Sequence, residues 1–440
     1  MYNSSEEITR PTCLVVIQPS PLCNINCRYC YLPNRLSTKR ITPTILSRIY
    51  EYIFTLPSIS DHLTIVWHAG EPLTLPISFY EKAFQYLDQY NTRRIQVTHS
   101  FQTNGTLINQ KWCDFIKQYH VKIGVSLDGP QHIHDLNRVD RSEKGTFERT
   151  MRGVRLLQEN NIDASIIMVL TRYALDYPDE IWQFFREHHL TRICFNIEEI
   201  EGVNKQSSLG TSEAIDQYKH FFGRLLTLRE TCQEESPFIR ELDLTTSRIK
   251  LLTRPVWSSE NTPMAILSFD SEGNVSTFSP ELLTARHENY GNFVFTNVNT
   301  GISNDMQAGF NQKFVNACAE IQNGISKCKE TCEYFAFCGG GAPSNKLHEN
   351  GTFDSTETMR CKLRIKALID VYLEHFESKY GLNEYRELSI TKRIAKIGEH
   401  MSLSRMNSSS LLQPNSEQLN QSDLFEQIHW DNFDDWNDRW

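Results

Sequence analysis

"CLVVIQPSPLCNINCRYC", residues 13–30, runs an apolar strand straight into a loop that carries Cys23, Cys27 and Cys30. On a helix these three would share a face, as a buried stripe of small side chains. Pro21, Asn24 and Asn26 favour turn and loop geometry instead, and the charged Arg28 suits no buried stripe. A structural zinc takes four protein ligands, and this loop offers three. Three thiolates suit a cubic 4Fe-4S cluster whose fourth iron stays open to an outside ligand, since soft sulfur donors select iron-sulfur chemistry as readily as zinc.

The strand that feeds this loop is the first of a series. "CLVVIQ" precedes a helical pattern over 42–56, "LTIVWH" one over 78–90, and "RIQVTHSF" one over 108–119. "VKIGVSLD" precedes 145–160, "ASIIMVLT" precedes 178–188, and "RICFNIEE" comes before a helix over 212–232. Six such units predict an α/β fold with a parallel sheet, a partial (β/α)6 TIM-like barrel. Loops at the C-terminal ends of such strands converge on one mouth. The cysteine loop, "HAGEP", "QTNGT" and "SLDGP" all occupy that position.

With 440 residues the chain has room for two or three domains. No apolar run exceeds about six residues, against about 18 for a membrane helix. The start, "MYNSSEEITRPT", reads as neither a secretory signal nor a transit peptide, so the expected location is the cytoplasm. A net charge of −9 disfavours a phosphate backbone as the main partner. Twelve cysteines without an export signal imply reduced thiols, with clustered ones as metal ligands.

The cysteine spacing and its place after the first strand resemble the radical S-adenosylmethionine (SAM) superfamily. That resemblance implies SAM chelated by the open iron, reductive cleavage of SAM, and a 5'-deoxyadenosyl radical that abstracts a hydrogen atom. It also implies an electron-donating partner of the ferredoxin or flavodoxin type. "HAGEP" is similar to the family's Gly-Gly-Glu-Pro motif with Ala69 at the first glycine, so Gly70 and Glu71 are expected at the SAM amino group. Asn104, Ser126 and Asp128 would meet the ribose or methionine part, Arg138 the carboxylate, and Tyr29 the adenine. Asn-Gly and Asp-Gly are also ordinary turn pairs.

A second set follows: Cys328, Cys332, Cys338 and Cys361. Four thiolates by themselves also suit tetrahedral zinc. After a radical SAM core the set resembles the SPASM extension, which usually has seven cysteines and two auxiliary clusters. Here the hairpin "EGNVSTFSPELL" has no cysteine, Thr296 stands where one is expected, and Ala342 replaces the cysteine four residues after Cys338. The resemblance therefore implies one auxiliary 4Fe-4S cluster. Cys318, Cys13, Cys113, Cys194 and Cys232 read as inert core cysteines.

"STFSPELL" and "CGGGAPSNKLHENGTFDSTETMRC" resemble maturases of the GrrM/OscB type, which form three-residue cyclophanes in ribosomally made precursor peptides. The implied partner is such a peptide, with neither nucleic acid nor membrane involved. Other SPASM chemistry, thioether formation or formylglycine maturation of sulfatases, is the alternative, with a non-enzymatic zinc protein more distant. The expected organisation is a core over 1–235, a SPASM-type domain over 236–375, a helical segment over 376–401, and a Ser/Asn/Gln-rich linker with an aromatic tail over 402–440. In the tail Trp430, Phe433 and Trp436 recur every third residue, as a docked amphipathic helix, a disordered end or a substrate-like segment would have them. So few residues precede the first strand that no leader-gripping module is expected there.

Overall fold

The computed structural model describes residues 11–232, 236–250, 257–300, 312–397 and 400. The linker and aromatic tail over 402–440 lie outside the described residues. Six strands alternate with helices as the apolar pattern requires: β1 (Thr12–Ile17), α1 (Pro43–Thr55), β2 (Ile59–Trp67), α2 (Ile77–Tyr90), β3 (Gln96–Thr103) and α3 (Gln110–Tyr119). The series continues with β4 (Lys122–Ser126), α4 (Gln131–Asn137), α5 (Phe147–Glu159), β5 (Ala164–Leu170), α6 (Pro178–Glu187), β6 (Arg192–Ile197) and α7 (Ser212–Thr231). The expected α/β fold with a parallel sheet is the observed one, since β1 to β6 pair in parallel and in chain order.

Local chemistry sets the helix starts. Thr42 accepts from Ile45 N with Pro43 at the first helical position, and Asn109 and Thr211 cap α3 and α7 by accepting from Trp112 N and Ala214 N. One core packs the sheet against its helices. At its centre fully buried Trp67 makes edge contact with Tyr80 at 5.1 Å and lies 6.2 Å from Phe101. Truncating such a side chain to alanine costs about 3–5 kcal/mol.

The sheet does not stop at the sixth strand. Two-residue β7 (Phe238–Ile239) pairs in parallel with β6, and α8 (Arg240–Lys250) follows it. The expected hairpin is present as β8 (Ile266–Phe269) and β9 (Asn274–Thr277), but β8 lies parallel to β1. With β10 (Thr296–Asn297) this gives one ten-stranded sheet, continuous across residue 236. The hairpin turn closes through Gly273 N on Asp270 O, and Asn274 opens the second strand.

Beyond the hairpin a separate core gathers Phe278, Leu282, Tyr290, Phe293, Phe314 and Phe353. It carries α9 (Gln312–Thr331) and α11 (Pro343–Asn350), while α10 (Phe335–Cys338) packs Phe337 with Ile369 and Leu373. A π-helix over Cys361–Ala367 leads into α12 (Leu368–Tyr380), and a last helical stretch covers 390–397. Cys318 is 5% exposed inside the second core, and Cys113 and Cys194 are buried in the barrel, as inert cysteines would be. Among the described residues no helix is long and apolar enough to cross a membrane.

Candidate active site

The loop after β1 is held by its own backbone and by neighbours. Cys23 N donates to Arg35 O at 3.0 Å, Asn26 N to Val139 O at 2.7 Å and Arg28 N to Asn137 O at 3.0 Å. Arg35 and Arg141 add side-chain donors to Cys27 O and Cys23 O at 3.2 and 2.9 Å. Burial first, then Glu71, pushes the Cys23 thiol up to about 12. Cys27 and Cys30 lie close enough to Cys23 to add to that rise. Burial pushes Cys27 up to about 11 against the opposing pull of Arg138. Two N–H groups face the sulfurs: Asn104 Nδ2 lies 3.9 Å from Cys23 Sγ and Arg138 Nη1 3.9 Å from Cys27 Sγ. A thiolate-bound group bearing negative charge fits this donor set.

The "HAGEP" loop is clamped against the cysteine loop. Gln18 Nε2 donates to Ala69 O at 2.6 Å and Glu71 N to Leu22 O at 2.8 Å. A Cβ on Gly70, at φ +130°, would sit 2.3 Å from Ser20 O, so only glycine fits. Ala69 has φ +67°, which explains why the related motif has glycine there.

Glu71 is hydrogen-bonded within the chain. Its carboxylate accepts from Leu73 N at 3.0 Å, Thr103 Oγ1 at 2.7 Å and Asn104 N at 2.8 Å. It ties two loops together, and burial raises it to about 7 despite those donors. Asn104 is a bridge too, donating to Asn24 Oδ1 at 2.8 Å and accepting from Thr106 N at 3.0 Å.

Asp128 and Arg138 pair with each other. Asp128 is 1% exposed; its Oδ2 lies 3.1 Å from Arg138 Nε and accepts from Tyr29 OH at 2.5 Å, while Oδ1 accepts from Val169 N at 3.0 Å. His134 completes the support by accepting from Asp128 N at 3.2 Å, and burial holds its imidazole neutral. Ser126 accepts from Gln102 Nε2 at 3.0 Å and, with Tyr29, faces the open cavity.

That cavity measures about 500 Å³. It starts beside Tyr29, Tyr31, His68 and Ser126 and reaches Cys328, Cys332, Cys338 and Cys361. The second thiol set comes from the end of α9, the residue after it, the end of α10 and the start of the π-helix. Cys332 N donates to Cys328 O at 2.9 Å and Cys361 N to Thr358 Oγ1 at 3.1 Å. Burial, then the neighbouring Cys338, pushes Cys361 up to about 12.

A wall of charge that the sequence reading missed also lines this cavity. Arg360 pairs with Glu199 and Glu260 at 3.2 Å each, Arg240 with Glu241, and Ser344 Oγ donates to Glu201 at 2.5 Å. Burial raises Glu281 to about 8 and holds Glu201 well above the usual carboxylate range. Glu198, Glu199 and Glu201 follow β6 at its C-terminal end, so the strand-end rule would have found them. Glu281, inside the quoted "STFSPELL", carried no separate signal.

Residues 17–199 match the model described as the Radical SAM superfamily. The chain belongs to this superfamily. Over 378 residues it is 44% identical to an uncharacterized protein of Synechocystis sp., covering 84% of this chain and 94% of that one. It is 32% identical over 188 residues to a cysteine-type anaerobic sulfatase-maturating enzyme of Clostridium novyi, covering 41% of this chain and 50% of that enzyme. A serine-type counterpart of Bacteroides thetaiotaomicron is 32% identical over 187 residues, 40% of this chain and 44% of that enzyme. The chain thus spans half or less of those two enzymes.

Among solved structures, anSMEcpe with bound AdoMet and Cp18Cys peptide superposes with a TM-score of 0.67 at 20% identity, covering 85% of this chain and all of that one. Streptococcus suis SuiB bound to precursor peptide SuiA gives 0.56 at 14% identity, covering 79% of this chain and 75% of that one. At these identities the likeness is one of fold. Radical SAM membership implies SAM and a 4Fe-4S cluster as cofactors.

Proposed function

We propose that this radical SAM enzyme acts on a ribosomally made precursor peptide and forms three-residue cyclophanes, joining an aromatic ring carbon to the β-carbon of a residue two positions later. The observation that carries this reading is the single cavity reaching from the Cys23–Cys30 loop to the second thiol set. A peptide segment lying in it has a hydrogen-abstracting site at one end and an electron-accepting site at the other. The chemistry supplied by a cluster on Cys23, Cys27 and Cys30 with SAM is a 5'-deoxyadenosyl radical. Asn104 and Arg138 orient the thiolates, and Leu244, Phe337 and Leu368 wall the cavity with apolar surface that limits water. The ring proton leaves towards Glu199 and Glu260, the carboxylates of the same cavity that are ion-paired with Arg360.

Cys328, Cys332, Cys338 and Cys361 are the proposed holders of one auxiliary 4Fe-4S cluster. Four thiols along one cavity also suit tetrahedral zinc, and the radical SAM context favours a cluster. The electron donor to the core cluster is proposed to be a ferredoxin- or flavodoxin-type protein.

Sulfatase-type relatives favour a second reading, formylglycine formation. Co-expression with the short open reading frame beside the gene, followed by fragment mass spectrometry, separates the two. A cyclophane appears as loss of two hydrogens with no backbone fragments inside a three-residue span. Formylglycine from serine loses the same mass but fragments normally and reacts with hydrazides. Intact SAM and unmodified peptide under reducing conditions would sink both.

A further inference from the structure

The first turns of α11 place a positive charge where none of the described residues offers a carboxylate to meet it. Lys346 is 3% exposed, and its Nζ lies 3.7 Å from Cys328 Sγ. Among the described residues no carboxylate lies within ion-pair distance of it, whereas other cations at this cavity are paired: Arg360 with Glu199 and Glu260, and Lys366 with Glu357 at 2.5 Å. Burial lowers the Lys346 ammonium, and Cys328 first, then Cys338 and Cys361, pull the other way.

The slot is built for this side chain. A Cβ on Gly324 of α9 would stand 3.1 Å from Lys346 Nζ and 2.4 Å from Phe353 O. A Cβ on Gly341 would lie 3.8 Å from Lys346 Cε. A buried ammonium without a counter-ion is costly, so its position fits an anionic group among the thiols. Four thiolates around an iron-sulfur cube make such a group.

Resting on the reading of Cys328, Cys332, Cys338 and Cys361 as the auxiliary cluster site, we infer that Lys346 is a positioning residue that holds the reduction potential of that cluster up, making it an electron acceptor. A fixed positive charge favours the state with one more electron, and an N–H donor to a ligating sulfur withdraws density in the same direction. One electron enters the cluster and the ammonium keeps its proton.

The test is a potentiometric titration of the full-length, anaerobically reconstituted enzyme, read by electron paramagnetic resonance. Added SAM marks the core cluster by shifting its signal. Lys346→Met is expected to lower the auxiliary potential by about 59 mV or more, the one-electron equivalent of a tenfold change in the oxidised-to-reduced ratio. Lys346→Arg keeps the charge and should stay near the parent. Equal potentials in the parent and Lys346→Met overturn the inference.

If Lys346→Met sheds the auxiliary iron, Lys346→Gln decides: a lowered potential supports the inference, and an unshifted one overturns it. Loss of that iron from both neutral variants also overturns it, since the charge then serves retention alone. The underlying reading fails differently. A parent protein that takes up only the core cluster, or zinc at the second site, removes the auxiliary cluster itself.

Discussion

Tyr29 and Asp128, 99 residues apart, are joined by a hydrogen bond of 2.5 Å from the phenol to Oδ2, and the guanidinium of Arg138 lies 5.5 Å from the Tyr29 ring centre. This trio braces the cysteine loop against the end of β4, because Tyr29 stands between Cys27 and Cys30. Asp128→Ala leaves the buried Arg138 charge unpaired and is expected to cost about 3–5 kcal/mol in urea unfolding. Tyr29→Phe removes one bond to a charged acceptor, about 1.5–3 kcal/mol. A loss below about 0.5 kcal/mol for Asp128→Ala would contradict the brace.

Backbone strain at residues 69 and 70 gives opposite expectations for neighbours. Ala69→Gly relieves a left-handed conformation at φ +67° and should stabilise by about 1 kcal/mol. Gly70→Ala drives a Cβ to 2.3 Å from Ser20 O and should abolish core iron uptake. Thermal unfolding of the first and iron content of the second check the pair.

The two thiol sets should separate in the test tube. Cys27→Ala is expected to retain the auxiliary absorbance near 400 nm and lose SAM cleavage. Cys361→Ala should retain SAM cleavage while losing roughly half of the bound iron. Complete loss of SAM cleavage in Cys361→Ala, in a folded protein, counts against independent sites.

Glu281 makes stability depend on pH. Burial raises its carboxyl from 4.5 to about 8 in the folded chain, so its contribution is full below 4.5, falls as pH climbs, and is gone above about 8. The slope is at most about 1.4 kcal/mol per pH unit. Glu281→Gln has no such dependence, and its stability relative to the parent should rise between about pH 5 and 8.5. Urea midpoints that run parallel for parent and variant over this range would refute the assignment.

The strands were readable because a parallel strand covered on both faces must be apolar along its length, as "CLVVIQ" and "ASIIMVLT" are. The cysteine loop was readable because its chemistry is local, with three thiols inside eight residues. The internal partners of Glu71, Asp128 and Arg138 were not, because a polar side chain in a turn motif reads the same whichever distant group of its own chain it meets. Three internal donors occupy Glu71, and Arg138 and Tyr29 occupy Asp128.

Periodicity and spacing along the chain thus settle the alternating α/β order and the three-thiol loop, since both depend on neighbours within a few residues. Folding alone set β8 beside β1, opened the cavity from Tyr29 to thiols some 300 residues away, and brought Lys346 to Cys328 and Arg360 to Glu199. Those relationships come from burial and charge pairing across long loops, where contact energy and not sequence distance chooses the partner.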